Sequence, residues 1–410
     1  MNFPQLQNLV KIDDDITNEN YGYLPDKRPI ESLLNYGLIL IDKPAGPTSH
    51  EVVAWIKRIL DIEKTGHSGT LDPGATGLLP IGLGEGTKAL SVLLLGPKEY
   101  YALARLHAHI SEQRINSVIT EFVGDIYQKP PQRSSVKRAT RVRTLFEFDK
   151  IEQTDRLILM RILCQAGTYI RKIIYDIGEV LGPGATMVEL RRTKISNFSE
   201  KQESFVKLHD LADAYQLYKE KREDAKLRRL IKPIEHCLEG IRAVMIRDTA
   251  VDALCHGAQL AVPGVVAVPA DLKPHELVGI YTLKGEVVGL AEAALTTEEI
   301  ENSTKGLAFS IKRIIMKPGT YPKVWRKSSQ DFIAAKNQNV RINLDKLEEE
   351  ADLGYYDIKE IRLDLGIAFL IWRYSLLDCP LYLEYGNCMC TLHILCGFHF
   401  YTDLRILDFP

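Results

Sequence analysis

Residues 66–80 read Gly66-His67-Ser68-Gly69-Thr70-Leu71-Asp72-Pro73-Gly74-Ala75-Thr76-Gly77-Leu78-Leu79-Pro80. Four glycines and two prolines in this stretch deny it a helix and predict a loop rather than a regular strand. One acid, Asp72, lies at its centre. Rigid scaffolds present reactive groups on loops, so a carboxylate held in a glycine-rich loop is a place to look for chemistry. Taken alone, Asp-Pro is a common turn opener, and a lone Asp there is more often a turn residue than a nucleophile. The flanking segments decide.

Upstream, Leu38-Ile39-Leu40-Ile41 is a short buried strand and Asp42-Lys43-Pro44-Ala45-Gly46-Pro47 a turn. Thr48 and Glu51 have the spacing of a capping box, and the helix they open carries Val52, Val53, Ile56, Ile59 and Leu60 on one face. Downstream, Lys98–His107 alternates as a strand, with Tyr100, Ala102, Ala104 and Leu106 facing one way. Gly167-Thr168-Tyr169 leads into a helix with Ile170, Ile173, Ile174, Ile177 and Leu181 inside, stopped by Gly182-Pro183-Gly184. From Lys129 to Phe146 six basic residues (Lys129, Arg133, Lys137, Arg138, Arg141, Arg143) occur with no acid, and Arg191-Arg192 lie on a second basic strand. Residues 241–317 are short apolar runs broken by Gly, Pro and Lys, the pattern of a small β-rich barrel or sandwich.

The 410 residues suffice for two or three domains, and 45% hydrophobic with 26% charged content describes a protein with substantial cores. A net charge of -2 leaves nucleic-acid binding to local clusters. No apolar run reaches the ~18 residues of a membrane span, so no membrane partner is expected. Met1–Asn20 is mixed and acidic and does not read as a secretory signal. Cys388, Cys390, His393 and Cys396 crowd the tail, but Cys-x-Cys lacks the usual gap of a zinc site, and no metal is expected.

Asp42–His50, Gly66–Gly77, Lys98-Glu99-Tyr100 and Ala166–Arg171 together resemble, in order, the motifs of the pseudouridine synthases that include bacterial TruB and eukaryotic dyskerin. Cys255-His256-Gly257-Ala258 through Tyr321-Pro322 resembles the small RNA-binding PUA domain of the dyskerin branch. The implied fold is α+β: a mixed, mainly antiparallel-sheet catalytic domain at 35–240, and a PUA β-barrel at 241–320. An N-terminal extension at 1–34 packs on the PUA domain, and the tail at 321–410 has no assigned role.

The resemblance implies an isomerase that breaks the C1′–N1 bond of a uridine, turns the uracil and rejoins it through C5, with no redox change and no cofactor. Asp72 is the implied catalytic carboxylate, Arg171 its paired cation and Tyr100 the aromatic that stacks on the target base. Lys43 and Pro44 support the catalytic loop, and His67 lies near the displaced nucleotide. A uridine within structured RNA must be flipped at a cost of a few kcal/mol, which basic contacts to the backbone offset. Lys129, Arg133, Lys137, Arg138, Arg141, Arg143, Arg191 and Arg192 are the expected contacts.

Only a few residues join Lys137 to the next strand, where the stand-alone tRNA enzymes carry a long insertion. This, with the N-terminal extension around Tyr21–Glu31, resembles the dyskerin branch and its archaeal counterparts. The implied partners are rRNA or tRNA substrate, a box H/ACA guide RNA, the small H/ACA accessory proteins and a kink-turn-binding ribosomal-type protein. The eukaryotic members' Lys-rich, nucleus-directing tails have no counterpart here, which implies a cytoplasmic, archaeal-like protein, with a nucleolar one as the alternative. Two further readings stand beside the guide-dependent enzyme: a guide-independent synthase for the tRNA T-loop uridine, and a non-catalytic guide-RNA scaffold.

Overall fold

The computed structural model describes residues 6–130 and 139–323, and the backbone of the strands Leu381–Tyr385 and Cys388–Leu392. Residues 6–323 lie in one compact unit; the two late strands pair antiparallel in a second. Of the Cys/His cluster in the tail, Cys388 and Cys390 are described by backbone alone, and His393 and Cys396 lie outside the described residues.

The apolar run at Leu38–Ile41 forms the inner part of the strand Gly37–Lys43, and both of its faces are covered. Ile39 and Ile41 pack under the helices Ser49–Ile59 and Leu208–Lys221. Leu38 and Leu40 face a second cluster that takes in Leu90, Leu93 and Phe198, and also Tyr281, Val287 and Ile315 of the C-terminal β-module. A strand covered on both sides reads as continuous rather than alternating hydrophobicity. Its antiparallel partner is Thr76–Leu83, which pairs in turn, parallel, with Ala185–Ile195.

Ala185–Ile195, Lys98–Leu106, Leu157–Cys164, Arg141–Thr154 and Gly124–Gln128 then continue the sheet antiparallel, for eleven strands in all. The alternation read at Lys98–His107 holds: Tyr100, Ala102, Ala104 and Leu106 are buried, against Ile173, Ile174 and Ile177 of the helix Ile170–Leu181. Thr48 and Glu51 form the capping box, each bonding the other's backbone amide. The helix Ile170–Leu181 ends at Gly182, whose φ of 107° a side chain would strain.

The second sheet has seven strands, six of them from residues 243–314 and one, Leu9–Lys11, from the N-terminal segment, paired antiparallel with Val265–Pro269. That segment is held further by Thr17 and Asn18, which both donate to Asp248. Arg28 makes a bidentate pair with Glu235 at 2.8 and 2.7 Å, fully out of solvent, and reaches Glu286 at 3.5 Å. Tyr321 donates to the far side of Glu286. Burial pushes the Glu286 carboxyl above the ordinary range, while Arg28 acts in the opposite direction. One arginine thus ties the N-terminal segment, the end of the eleven-stranded sheet and the β-module together.

Candidate active site

The segment read as a loop from Gly66 to Pro80 is shorter than that. Thr65–His67 and Thr76–Leu83 are strands, leaving residues 68–75 irregular. The glycines do not break the strand because they serve it. A Cβ on Gly77 would lie 2.3 Å from the Arg192 carbonyl oxygen, and its φ is 98°. Only glycine lets the two backbones approach so closely.

Inside the loop, Asp72–Ala75 closes a turn, with the Ala75 amide donating to the Asp72 carbonyl at 3.0 Å. Lys43, at the end of the buried strand, is inaccessible to solvent and donates to the carbonyls of Pro44, Pro73 and Ala75 at 2.9, 3.0 and 2.9 Å. Burial pushes its ammonium below the ordinary lysine range; the Asp72 carboxylate acts against that push and Arg192 with it. Ser49, buried at the start of its helix, accepts from the Leu71 amide at 2.9 Å. The Gly46 amide donates to the Pro73 carbonyl. Both sides of Asp72 are therefore fastened, while its side chain remains about half exposed at 53%.

Arg171 Nη2 donates to Asp72 Oδ2 at 2.8 Å, and the arginine side chain is 61% exposed. An ion pair so open to water adds little to stability; it leaves the carboxylate oriented and reachable. Arg171 is the second residue of its helix, and the start of that helix is clamped by Gln128. This buried side chain accepts from the Tyr169 amide at 2.9 Å and donates to the Tyr169 carbonyl at 3.2 Å. Tyr100 is buried, on the central strand directly across from Arg192. Burial pushes its phenol above the ordinary tyrosine range; Arg192 opposes that shift and the charge of Asp72 adds to it. The Asp72 carboxylate thus acts on both the phenol and the Lys43 ammonium.

Lys98 and Glu99 of the same motif face inward. Lys98 donates to the carbonyls of Leu93, Leu94 and Gly96 and is pushed down by burial to about 8. Glu99 accepts from Thr193, Lys194 and Arg161. His67 lies on the strand entering the loop, its ring edge-on to His50 with centroids 5.1 Å apart. Burial, then the neighbouring His50, lowers its basicity.

The basic residues divide. Lys129 is exposed at the end of the edge strand. Arg141 and Arg143 begin the strand Arg141–Thr154, and the Arg143 guanidinium lies against the Gly167 turn that leads to Arg171. Arg133, Lys137 and Arg138 lie outside the described residues. Arg191 and Arg192 do not form the free basic surface expected of them. Arg191 pairs with Asp42 and Glu200 at 3.1 and 2.8 Å, and Arg192 is 1% exposed, its Nε and Nη2 donating to the carbonyls of Leu78 at 2.9 Å and Gly69 at 3.2 Å. Arg192 is thus withdrawn from solvent, while Arg191 stays about a third exposed with its charge paired. Ser49 and Gln128 went unread as anchors. Ser49 stands within the Asp42–His50 motif as a polar residue beside a capped helix start; Gln128 carries no such mark.

A mainly antiparallel sheet thus holds one open carboxylate beside an arginine, with a buried tyrosine on its central strand and a β-module attached. Residues 57–170 match the N-terminal domain of TruB family pseudouridylate synthases, 171–239 the C-terminal domain of tRNA pseudouridylate synthase B, 242–315 the PUA domain and 3–53 the DKCLD domain. The chain is 50% identical over 309 residues to the probable tRNA pseudouridine synthase B of Methanopyrus kandleri, covering 75% of this chain and 91% of that one. It is similar to a chain in the crystal structure of a Cbf5-Nop10-Gar1 complex, with TM-score 0.71, 46% identity, and 77% and 96% of the two chains covered. It is also similar to a chain in an H/ACA RNP bound to a substrate RNA containing 2′-deoxyuridine, with TM-score 0.70, 43% identity, and 77% and 97% covered. The chain belongs to the TruB/dyskerin family of pseudouridine synthases.

Proposed function

We propose that this pseudouridine synthase acts on uridines in rRNA and tRNA as the catalytic subunit of a box H/ACA guide ribonucleoprotein, with Asp72 as its catalytic carboxylate. The observation that carries the assignment is the Asp72–Arg171 pair at 2.8 Å, fastened from below yet open above. Asp72 acts at C1′ of the flipped uridine as the glycosidic bond breaks. Arg171 holds the carboxylate in place. Tyr100 forms the aromatic wall for the base, and its raised pKa keeps the phenol protonated, able to donate to the uracil or to relay a proton from C5. Lys43 and the Pro44 carbonyl secure the loop, and the weakly basic His67 borders the nucleotide.

Lys129, Arg141 and Arg143 hold the RNA backbone on the flank nearest Arg171; Arg133, Lys137 and Arg138, outside the described residues, are further proposed contacts. The partners are the guide RNA, small accessory proteins of the kind present in the Cbf5-Nop10-Gar1 complex, and a kink-turn-binding ribosomal-type protein. The archaeal sources of the relatives favour action in the cytoplasm, and their name favours tRNA as one substrate. No helix among the described residues is long and apolar enough to cross a membrane.

Tritium release from 5-[³H]uridine RNA, with and without guide RNA and accessory proteins, tests this. Guide-dependent release that is lost in Asp72→Asn with RNA binding retained is the expected result. Release from tRNA without guide would favour the guide-independent reading, and normal turnover by Asp72→Asn would remove Asp72 from the chemistry.

A further inference from the structure

Arg192 lies where three parts of the site meet. Its backbone stands between Gly77, on the strand that leaves the catalytic loop, and Tyr100 on the central strand. Its buried side chain bonds the carbonyls of Gly69 and Leu78, one on each side of Asp72. Arg191 next to it is neutralised by two carboxylates, whereas Arg192 forms no ion pair among the described residues. Withdrawing a guanidinium from water without a counter-ion is expensive, and an apolar side chain would fill the space without that cost. The planar fork supplies what an apolar group lacks: directed donors that span both ends of the loop while the charge faces the phenol of Tyr100.

Taking Asp72 as the reacting carboxylate, we infer that Arg192 is a positioning residue that fixes the separation between the Asp72 loop and Tyr100. It contributes to the rate of isomerisation rather than to RNA affinity.

Arg192→Met and Arg192→Lys, in the full-length chain assembled with guide RNA and accessory proteins, test this through single-turnover tritium release at saturating RNA, RNA affinity, and amide hydrogen exchange over residues 69–78. A misplacement on the order of 1 Å costs about 100-fold in rate, so Arg192→Met is expected to lose about that much with RNA affinity unchanged. Dissolved guanidinium should restore part of the rate, and exchange should quicken in residues 69–78. Arg192→Lys retains the charge but replaces the planar fork with a single point donor on a different stem, and should fall between; it decides the matter if Arg192→Met does not fold. Weakened affinity with a normal saturated rate would make Arg192 an RNA contact and overturn the inference, as would an unchanged rate and unchanged exchange. Hydrogen exchange is read without turnover, so it still decides if the wild-type assembly releases no tritium, an outcome that would count against the proposed function instead.

Discussion

Lys43→Met removes the ammonium that fastens the Asp72 loop and leaves a chain of similar length in its place. Three carbonyls lose their donor, two of them, Pro73 and Ala75, in the segment that carries Asp72. Hydrogen bonds to a charged donor contribute about 1.5–3 kcal/mol each. Against their sum stands the cost of burying the ammonium, whose reality is visible in its depressed basicity. Pro44 is exposed, so its carbonyl can turn to water, and the Pro73 carbonyl keeps the Gly46 amide, which leaves the buried Ala75 carbonyl as the one orphaned acceptor and a net loss of about 1–3 kcal/mol. Urea unfolding measures that loss, and single-turnover tritium release measures the consequence for Asp72, expected to be about 100-fold for a loop displaced by about 1 Å. If Lys43→Met were as stable as the wild type and turned over at the same rate, the ammonium would not be what holds the loop, and the account of Asp72's rigidity would fail.

Lys98, pushed down to about 8 where an ordinary lysine titrates near 10.5, gives stability a pH dependence of known sign. Between those values the unfolded chain binds the extra proton, so unfolding free energy rises with pH through that window. Thermal unfolding from pH 7 to 10.5 should show this rise, and Lys98→Met should lack it. Arg28→Met leaves Glu235 buried without its bidentate partner and should cost about 3–5 kcal/mol; the double variant with Glu235→Leu should recover much of that, as urea unfolding will show. Replacing Lys129, Arg141 and Arg143 together should weaken RNA binding and reduce the slope of log affinity against log salt by about 0.7 to 0.9 for each phosphate left without its cation. An unchanged slope in filter binding would remove this flank from the RNA interface.

Much of the scaffold is legible where local rules and tertiary packing agree. The Thr48/Glu51 box, the alternation from Tyr100 to Leu106 and the 3.6-residue spacing from Ile170 to Leu181 each survive because the face they expose to the core is the one the sheet and helices cover. The reading failed where a neighbour out of sequence overrides the local signal. Gly77 and Pro80 argue against a strand, yet both lie in one, because Arg192 needs the room at Gly77 and Leu40 pairs across from Pro80. Arg191-Arg192 looks like a basic surface, but carbonyls of Gly69 and Leu78, distant in sequence, take Arg192 inward, and Asp42 and Glu200 pair Arg191. Asp72, Tyr100 and Arg171 stand out as candidates through their motifs; that the first and last meet at 2.8 Å depends on Gln128 and Lys43, whose bonds no spacing announces.

The strand Gly37–Lys43 carries a consequence for how substrate RNA is registered. Leu38 and Leu40 near its start are packed against the β-module, and Lys43 at its other end grips the loop of Asp72. Seven residues of extended chain, braced on both faces, therefore work as a ruler between the module and the Asp72 carboxylate. Under the proposed function, an RNA held on the module is measured against that fixed mark, and uridines one nucleotide out of step are expected to react more slowly.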